Sequence, residues 1–97
     1  MTMAVLNEQE LNDHLASLTG WELRDGVLRK RYTFGDFAEA LAFANRVGGA
    51  AEAANHHPDL AVGWGYAEVA WVSHDAGGVT ERDTQMAARC DELAGSS

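Results

Sequence analysis

The residues able to do chemistry in this 97-residue chain gather around three of its four histidines. His56 and His57 stand side by side just before the one proline, Pro58, and His74 follows two stretches of alternating residues. Each falls at a boundary between segments of different periodicity, and boundaries are where sites are built. An imidazole, with an ordinary pKa near ~6.5, gives or takes a proton at neutral pH without extreme tuning. Taken singly, a histidine at a helix end is as well explained as a dipole partner or a surface residue. The arrangement says more: after His74 come Asp75 and Gly77-Gly78, a carboxylate and unhindered backbone donors in one loop. Acid–base chemistry on a small molecule is the reaction class this suggests.

Other chemistries fit less well. Three imidazoles and a water can hold catalytic zinc, but adjacent residues point in well-separated directions, so His56 and His57 do not easily converge on one ion. Cys90 lies on an apolar helical stripe, where a buried thiol is inert. Ser73 directly precedes His74, and strand neighbours face opposite ways. Trp64 and Trp71 are expected to pack on a sheet face. Arg29-Lys30-Arg31 is expected to be a solvated strand edge that blocks edge-to-edge pairing.

The elements that must position these residues can be read from spacing. Asn7 with Glu10 forms a capping-box pattern, flanked by Leu6 and Leu11 as a staple. Leu11, Leu15 and Leu18 then predict a short helix stopped by Gly20. Alternation resumes at Trp21, and Asp25-Gly26 is a type I′ turn signal, predicting a hairpin over 21–34. Asp36 with Glu39 repeats the capping spacing ahead of the longest helix, whose stripe is Phe37, Ala40, Leu41, Ala44, Val47, Ala51 and Ala54. Gly48-Gly49 inside it implies either close packing or a weak middle, and Pro58 is the expected stop. Two strands joined near Gly63–Gly65 cover Leu60 to His74. A loop from Asp75 to Val79 leads to a third capping pattern, Thr80 with Asp83, and a last helix carrying Met86, Ala87, Cys90, Leu93 and Ala94. The order α-β-β-α-β-β-α over 1–97 predicts one α+β domain, a four-stranded antiparallel sheet with helices packed on one face.

Composition narrows the partners. Fifteen acidic against seven basic side chains leave a net charge of -8, which would repel a nucleic-acid backbone and an anionic membrane surface. The longest apolar run, Ala40 to Ala44, is far short of the ~20 residues of a membrane helix. The apolar stretch from Met3 to Leu6 lacks a basic flank and is too short for an export signal. With one cysteine and no intrachain disulfide possible, the expected compartment is the cytoplasm.

The stretch Glu52-Ala53-Ala54-Asn55-His56-His57-Pro58, followed by Ser73-His74-Asp75-Ala76-Gly77-Gly78-Val79-Thr80-Glu81-Arg82-Asp83, resembles the pterin-4a-carbinolamine dehydratase family. Gly20-Trp21 and Tyr32-Thr33-Phe34-Gly35-Asp36-Phe37 extend the resemblance over nearly the whole chain, and the element order read above is also the family's. The family's usual Glu-Lys pair reads Glu52-Ala53 here. The resemblance implies dehydration of 4a-hydroxytetrahydropterin to quinonoid dihydropterin in tetrahydrobiopterin recycling, with no metal and no organic cofactor. It implies His56 and His74 as the acid–base pair and Asp83 as an orienting carboxylate. His57, Asn55 and the strand end Val72, Ser73, His74 and Asp75, together with His56, would contact the pterin. A homodimer or homotetramer is the implied assembly. The same fold also serves as a non-catalytic protein-binding module, either a dimerisation cofactor or an assembly factor that has lost the histidines; retention of all three here favours the enzyme.

Overall fold

Asn7 accepts the Glu10 backbone N–H at 2.8 Å while the Glu10 carboxylate takes the Asn7 N–H at 3.0 Å, and this reciprocal cap opens α1, Glu8–Leu15. The structure, a computed structural model, describes residues 4–95; Met3, where the apolar N-terminal stretch begins, lies outside them. Helix α1 stops earlier than its leucine spacing predicts. The Ser17 hydroxyl donates to the His14 carbonyl at 3.0 Å, and Ser17 and Leu18 bond back three residues, so tight turns replace the helical ladder. Leu18 is still buried, and Gly20, at φ 87°, turns the chain toward Trp21 rather than capping a helix.

Asp25 and Gly26 both adopt positive φ, 54° and 76°, as a type I′ turn requires, and join β1, Glu22–Arg24, to β2, Val27–Thr33. Helix α2, Phe37–Ala54, is capped by Asp36 accepting from the Glu39 N–H, while the Glu39 carboxylate reaches one residue further back than expected, to the Gly35 N–H. Its buried face is Ala40, Phe43, Ala44, Val47 and Ala51. Phe37 and Leu41 stay exposed because, at about 100° per residue, they lie far round the helix from Phe43. Ala54, also exposed, borders a shallow groove of about 400 Å³ that it shares with Ala50, Ala53, Met86 and Arg89. The helix runs unbroken through Gly48-Gly49, and beyond the adjacent residues and the helix's own backbone no atom lies within 4 Å of where a Cβ would stand at either, so close packing against another element does not explain them. The stop is made before Pro58. Asn55 takes the left-handed conformation (φ 52°), the His56 N–H reaches the Ala51 carbonyl, and the Asn55 N–H reaches that of Glu52.

Strands β3, Asp59–Gly63, and β4, Tyr66–Trp71, complete an antiparallel sheet in the order β1-β2-β4-β3. Because β2 is an inner strand, Arg29-Lys30-Arg31 is no edge. Arg29 pairs with Glu68 across β4, Lys30 crosses to Asp91, and Arg31 lies over the Tyr66 ring. Trp71 is fully buried, whereas Trp64 sits in the β3–β4 turn, 74% exposed, and does not pack on a sheet face as expected; Leu60, opposite Val69 on the edge strand, is also exposed.

Helix α3, Glu81–Gly95, brings Ala87 and Cys90 onto Leu28, Tyr32, Val69 and Trp71 of the sheet, beside Phe43 and Val47 of α2. Among the described residues the order is α-β-β-α-β-β-α, an α+β fold with the helices on the face that carries this core. Burial pushes the Cys90 thiol up to about 11, which keeps it inert. Asp91 ties α3 to the sheet by accepting from Trp21 Nε1, Lys30 Nζ and the Tyr32 hydroxyl; burial first, and that carboxylate second, raise the phenol above its ordinary range. No helix among the described residues is long and apolar enough to cross a membrane.

Candidate active site

At the end of β4 the chain passes Val72 and makes a tight loop. Ser73 bridges to Gly78, its carbonyl accepts the Ala76 and Gly77 N–H groups, and Gly77 takes φ 85°. This loop delivers the chain to Thr80 and the first turn of α3. There the Asp83 side chain folds back onto the Thr80 N–H at 2.8 Å, while the Thr80 hydroxyl accepts from the Arg82 N–H at 3.2 Å. Capping therefore aims Asp83 inward, and it is 0% exposed.

Buried charge needs partners, and Asp83 has three. Oδ2 accepts from the Thr80 N–H and from the Ser73 hydroxyl, both at 2.8 Å, and Oδ1 lies 2.5 Å from His56 Nε2. Ser73, itself fully buried, also bonds to the Thr80 hydroxyl at 2.9 Å. The left-handed turn at Asn55 swings His56 off the end of α2 and into this carboxylate, and Trp71 stacks on the imidazole with ring centres 5.5 Å apart. On the other ring nitrogen, Nδ1, sits Arg82 Nη2 at 3.0 Å, and the second arm of that guanidinium reaches Asp75 Oδ2 at 3.4 Å. Arginine can only donate, so His56 carries its proton on Nε2, toward Asp83.

His56, Ser73, Thr80, Asp83, Arg82 and Asp75 thus form one hydrogen-bonded chain from the core to the surface. The other candidate residues stand around it. His57 is exposed and bonds to the Glu52 carboxylate, so the neighbouring imidazoles face different acids. His74 is exposed in the turn, whereas its neighbour Ser73 is buried, and the His74 ring has no hydrogen-bond or ion-pair partner among the described residues. Asn55 is exposed at the helix end, and Val72 is half-buried at the strand end. No group of three or more His, Cys, Asp or Glu side chains among the described residues is arranged to hold a metal ion.

A buried acid–histidine pair, with a solvent-facing histidine on the loop that follows β4, is a set of groups suited to moving protons. The family model described as pterin 4 alpha carbinolamine dehydratase matches residues 4–93. The chain belongs to that family. A relative from Koribacter versatilis, named "Putative pterin-4-alpha-carbinolamine dehydratase", is 44% identical over 88 residues, covering 91% of this chain and 94% of its own. One of the same name from Paracoccus denitrificans is 46% identical over 92 residues, covering 93% and 86%. Among solved structures, a transcriptional coactivator/pterin dehydratase from Brucella melitensis superposes with a TM-score of 0.89 at 32% identity, covering 94% of this chain and 99% of that one. A pterin dehydratase-like protein identified as a RuBisCO assembly factor matches with a TM-score of 0.63 at 31% identity, covering 79% and 89%.

Within this pterin dehydratase fold, sequence reasoning passed over Arg82 and the stacking of Trp71 on His56. Arg82 had a signal: it sits next to Asp83 in the first turn of the helix whose cap points at the site. Trp71 had none, because burial on the sheet and packing on an imidazole share one alternation pattern.

Proposed function

We propose that this chain dehydrates 4a-hydroxytetrahydropterin to quinonoid dihydropterin and water, in tetrahydrobiopterin recycling in the cytoplasm. The observation that carries the reading is the fully buried Asp83 carboxylate holding the Nε2–H of His56, with His74 on the adjoining loop turned to solvent. The reaction needs no more than proton transfers. One group protonates the 4a-hydroxyl, the C4a–O bond breaks and water leaves. The other takes the N5 proton as the N5=C4a double bond forms, so the sum balances without metal, redox partner or organic cofactor.

His56 and His74 serve as the acid–base pair, and Asp83 orients His56 and offsets the charge it gains on protonation. The pterin rests against Asn55, His57, Val72, His74 and Asp75, while Ser73 steadies Asp83 from behind. The protein acts as one domain in a homodimer or homotetramer, for which exposed Phe37 and Leu41 on α2 supply apolar surface.

The alternative is a non-catalytic protein-binding module, a reading favoured by the structural neighbour identified as a RuBisCO assembly factor. A binding surface alone has no use for an acid buried to 0% exposure on a histidine, and His56, His57 and His74 are all present here. Rapid mixing of the purified protein with synthetic 4a-carbinolamine separates the two. A dehydratase speeds the loss of the carbinolamine in proportion to protein concentration; a rate equal to the uncatalysed one leaves the binding module.

A further inference from the structure

Neither nitrogen of His56 is idle. Nε2–H donates to Asp83 Oδ1 at 2.5 Å, and Nδ1 faces Arg82 Nη2 at 3.0 Å. A guanidinium has donors only and keeps its charge, so this contact consumes the Nδ1 lone pair. A general base needs that lone pair. The one nitrogen through which His56 could take a proton from a ligand is therefore covered by a cation, on a side chain only 8% exposed.

The cover is held on both sides. The Arg82 backbone N–H is fixed by the Thr80 hydroxyl, its neighbour Asp83 grips the far edge of the same imidazole, and its second arm rests on Asp75. These holds differ in strength. The contact to Asp75 is long, at 3.4 Å, and its two side chains are 33% and 75% exposed, so solvent screens it. The Asp83–His56 bond is buried. The guanidinium can swing away while the imidazole stays in place.

We propose that Arg82 is a positioning residue that covers His56 until the substrate draws it off, so that His56 becomes a base only with a pterin in place. The proposal rests on the dehydratase reading and deepens it. A pterin edge carries a carbonyl oxygen and ring-nitrogen acceptors, which a planar fork of donors satisfies better than a single imidazole nitrogen does. As the fork turns to the pterin, Nδ1 is uncovered toward the same ligand, and Nε2–H on Asp83 keeps the tautomer that can accept. The N5 proton then passes to Nδ1, the N5=C4a bond forms, and the 4a-hydroxyl departs as water with a proton from the acid. The resulting imidazolium is stabilised by the Asp83 carboxylate.

Two measurements on Arg82→Met and Arg82→Lys test this. The first needs no catalysis: diethyl pyrocarbonate acylates an imidazole through a free lone pair, and peptide mass spectrometry reports each histidine separately. In the unmodified protein without substrate, His57 and His74 should label while His56 labels roughly tenfold more slowly than His74, the protection of about one hydrogen bond. Arg82→Met should bring His56 to the rate of His74, and Arg82→Lys should fall between. The second is kinetic. Losing a charge-assisted contact to the pterin should raise KM roughly ten- to a hundredfold in Arg82→Met, with a smaller fall in kcat and part of the KM recovered in Arg82→Lys. His56 remaining as protected in a folded Arg82→Met as in the parent, or an unmoved KM, overturns the proposal. Should Arg82→Met not fold, Arg82→Lys decides alone: His56 labelling at the parental rate overturns it. A parent protein that labels as expected but does not dehydrate the carbinolamine refutes the dehydratase reading and leaves the cover standing.

Discussion

Asp83→Asn is the sharpest single perturbation, because asparagine keeps the shape of the side chain and swaps one acceptor for a donor. Asp83 accepts from three donors: Thr80 N–H and Ser73 Oγ on Oδ2, and His56 Nε2 on Oδ1. If the asparagine oxygen stays with Thr80 and Ser73, its NH₂ meets the Nε2–H of His56 head-on. The imidazole must then move its proton to Nδ1, where it meets Arg82. If the amide is turned over, the NH₂ meets the Thr80 N–H instead. Either way one buried donor to a charged acceptor is lost, at a cost of about 1.5–3 kcal/mol. The wrong tautomer at His56 should lower kcat by up to roughly 10², as much as losing the imidazole itself. Were Asp83 only a helix cap, asparagine would still accept from Thr80 and both numbers would stay near the parent, while Asp83→Ala alone would cost about 0.5–2 kcal/mol. Urea unfolding gives the first quantity and the dehydration assay the second. A folded Asp83→Asn protein with parental kcat would refute the orienting role of Asp83.

Three further outcomes follow from the same geometry. His56→Ala and His74→Ala should each lower kcat by roughly 10² or less, since a neighbouring imidazole partly substitutes, whereas His57→Ala should act mainly through KM; steady-state kinetics of the three variants check this. The Cys90 thiol is pushed from 9.0 to about 11 in the folded protein, so unfolded chains ionise first as pH rises. That part of the stability is whole below pH 9 and lost on the way to about 11, a change on the order of 2–3 kcal/mol that Cys90→Ala should abolish when urea unfolding is compared across that window. Asp91→Ala strands the Trp21, Lys30 and Tyr32 donors and should cost about 1–3 kcal/mol in thermal or urea unfolding while leaving kcat and KM near the parent, as Asp91 touches none of the site residues.

What could be read from the sequence was what local chemistry decides. Asn7 with Glu10, and Asp25 with Gly26, each satisfy their own backbone groups within four residues, so their elements were legible without knowledge of the rest. The inward turn of Asp83 was half legible: the cap spacing showed that it folds back on Thr80, but not that Ser73 and His56 arrive at the same carboxylate from other elements. Readings that depended on tertiary context went astray. Arg29-Lys30-Arg31 looked like an edge because the strand order, which places β4 beside β2, is not written in any one segment. Phe37 and Leu41 shared the period of the buried stripe but not its phase, which Phe43 sets by facing Tyr32 and Phe34. The early end of α1 came from one hydroxyl, on Ser17, competing for a helix carbonyl.

Whether the Asp83–His56 pair and His74 together move the protons of a pterin dehydration is read out by the double variant His56→Ala/His74→Ala. Stopped-flow decay of synthetic 4a-carbinolamine, with the parent and the double variant at matched concentration and after dialysis against EDTA, gives the answer in one experiment. The dialysed parent should keep its rate, and the folded double variant should fall to near the uncatalysed rate, far below either single change. A double variant that retains the parental rate, or a parent whose activity is lost on dialysis and returns with zinc, would contradict this reading of the histidines.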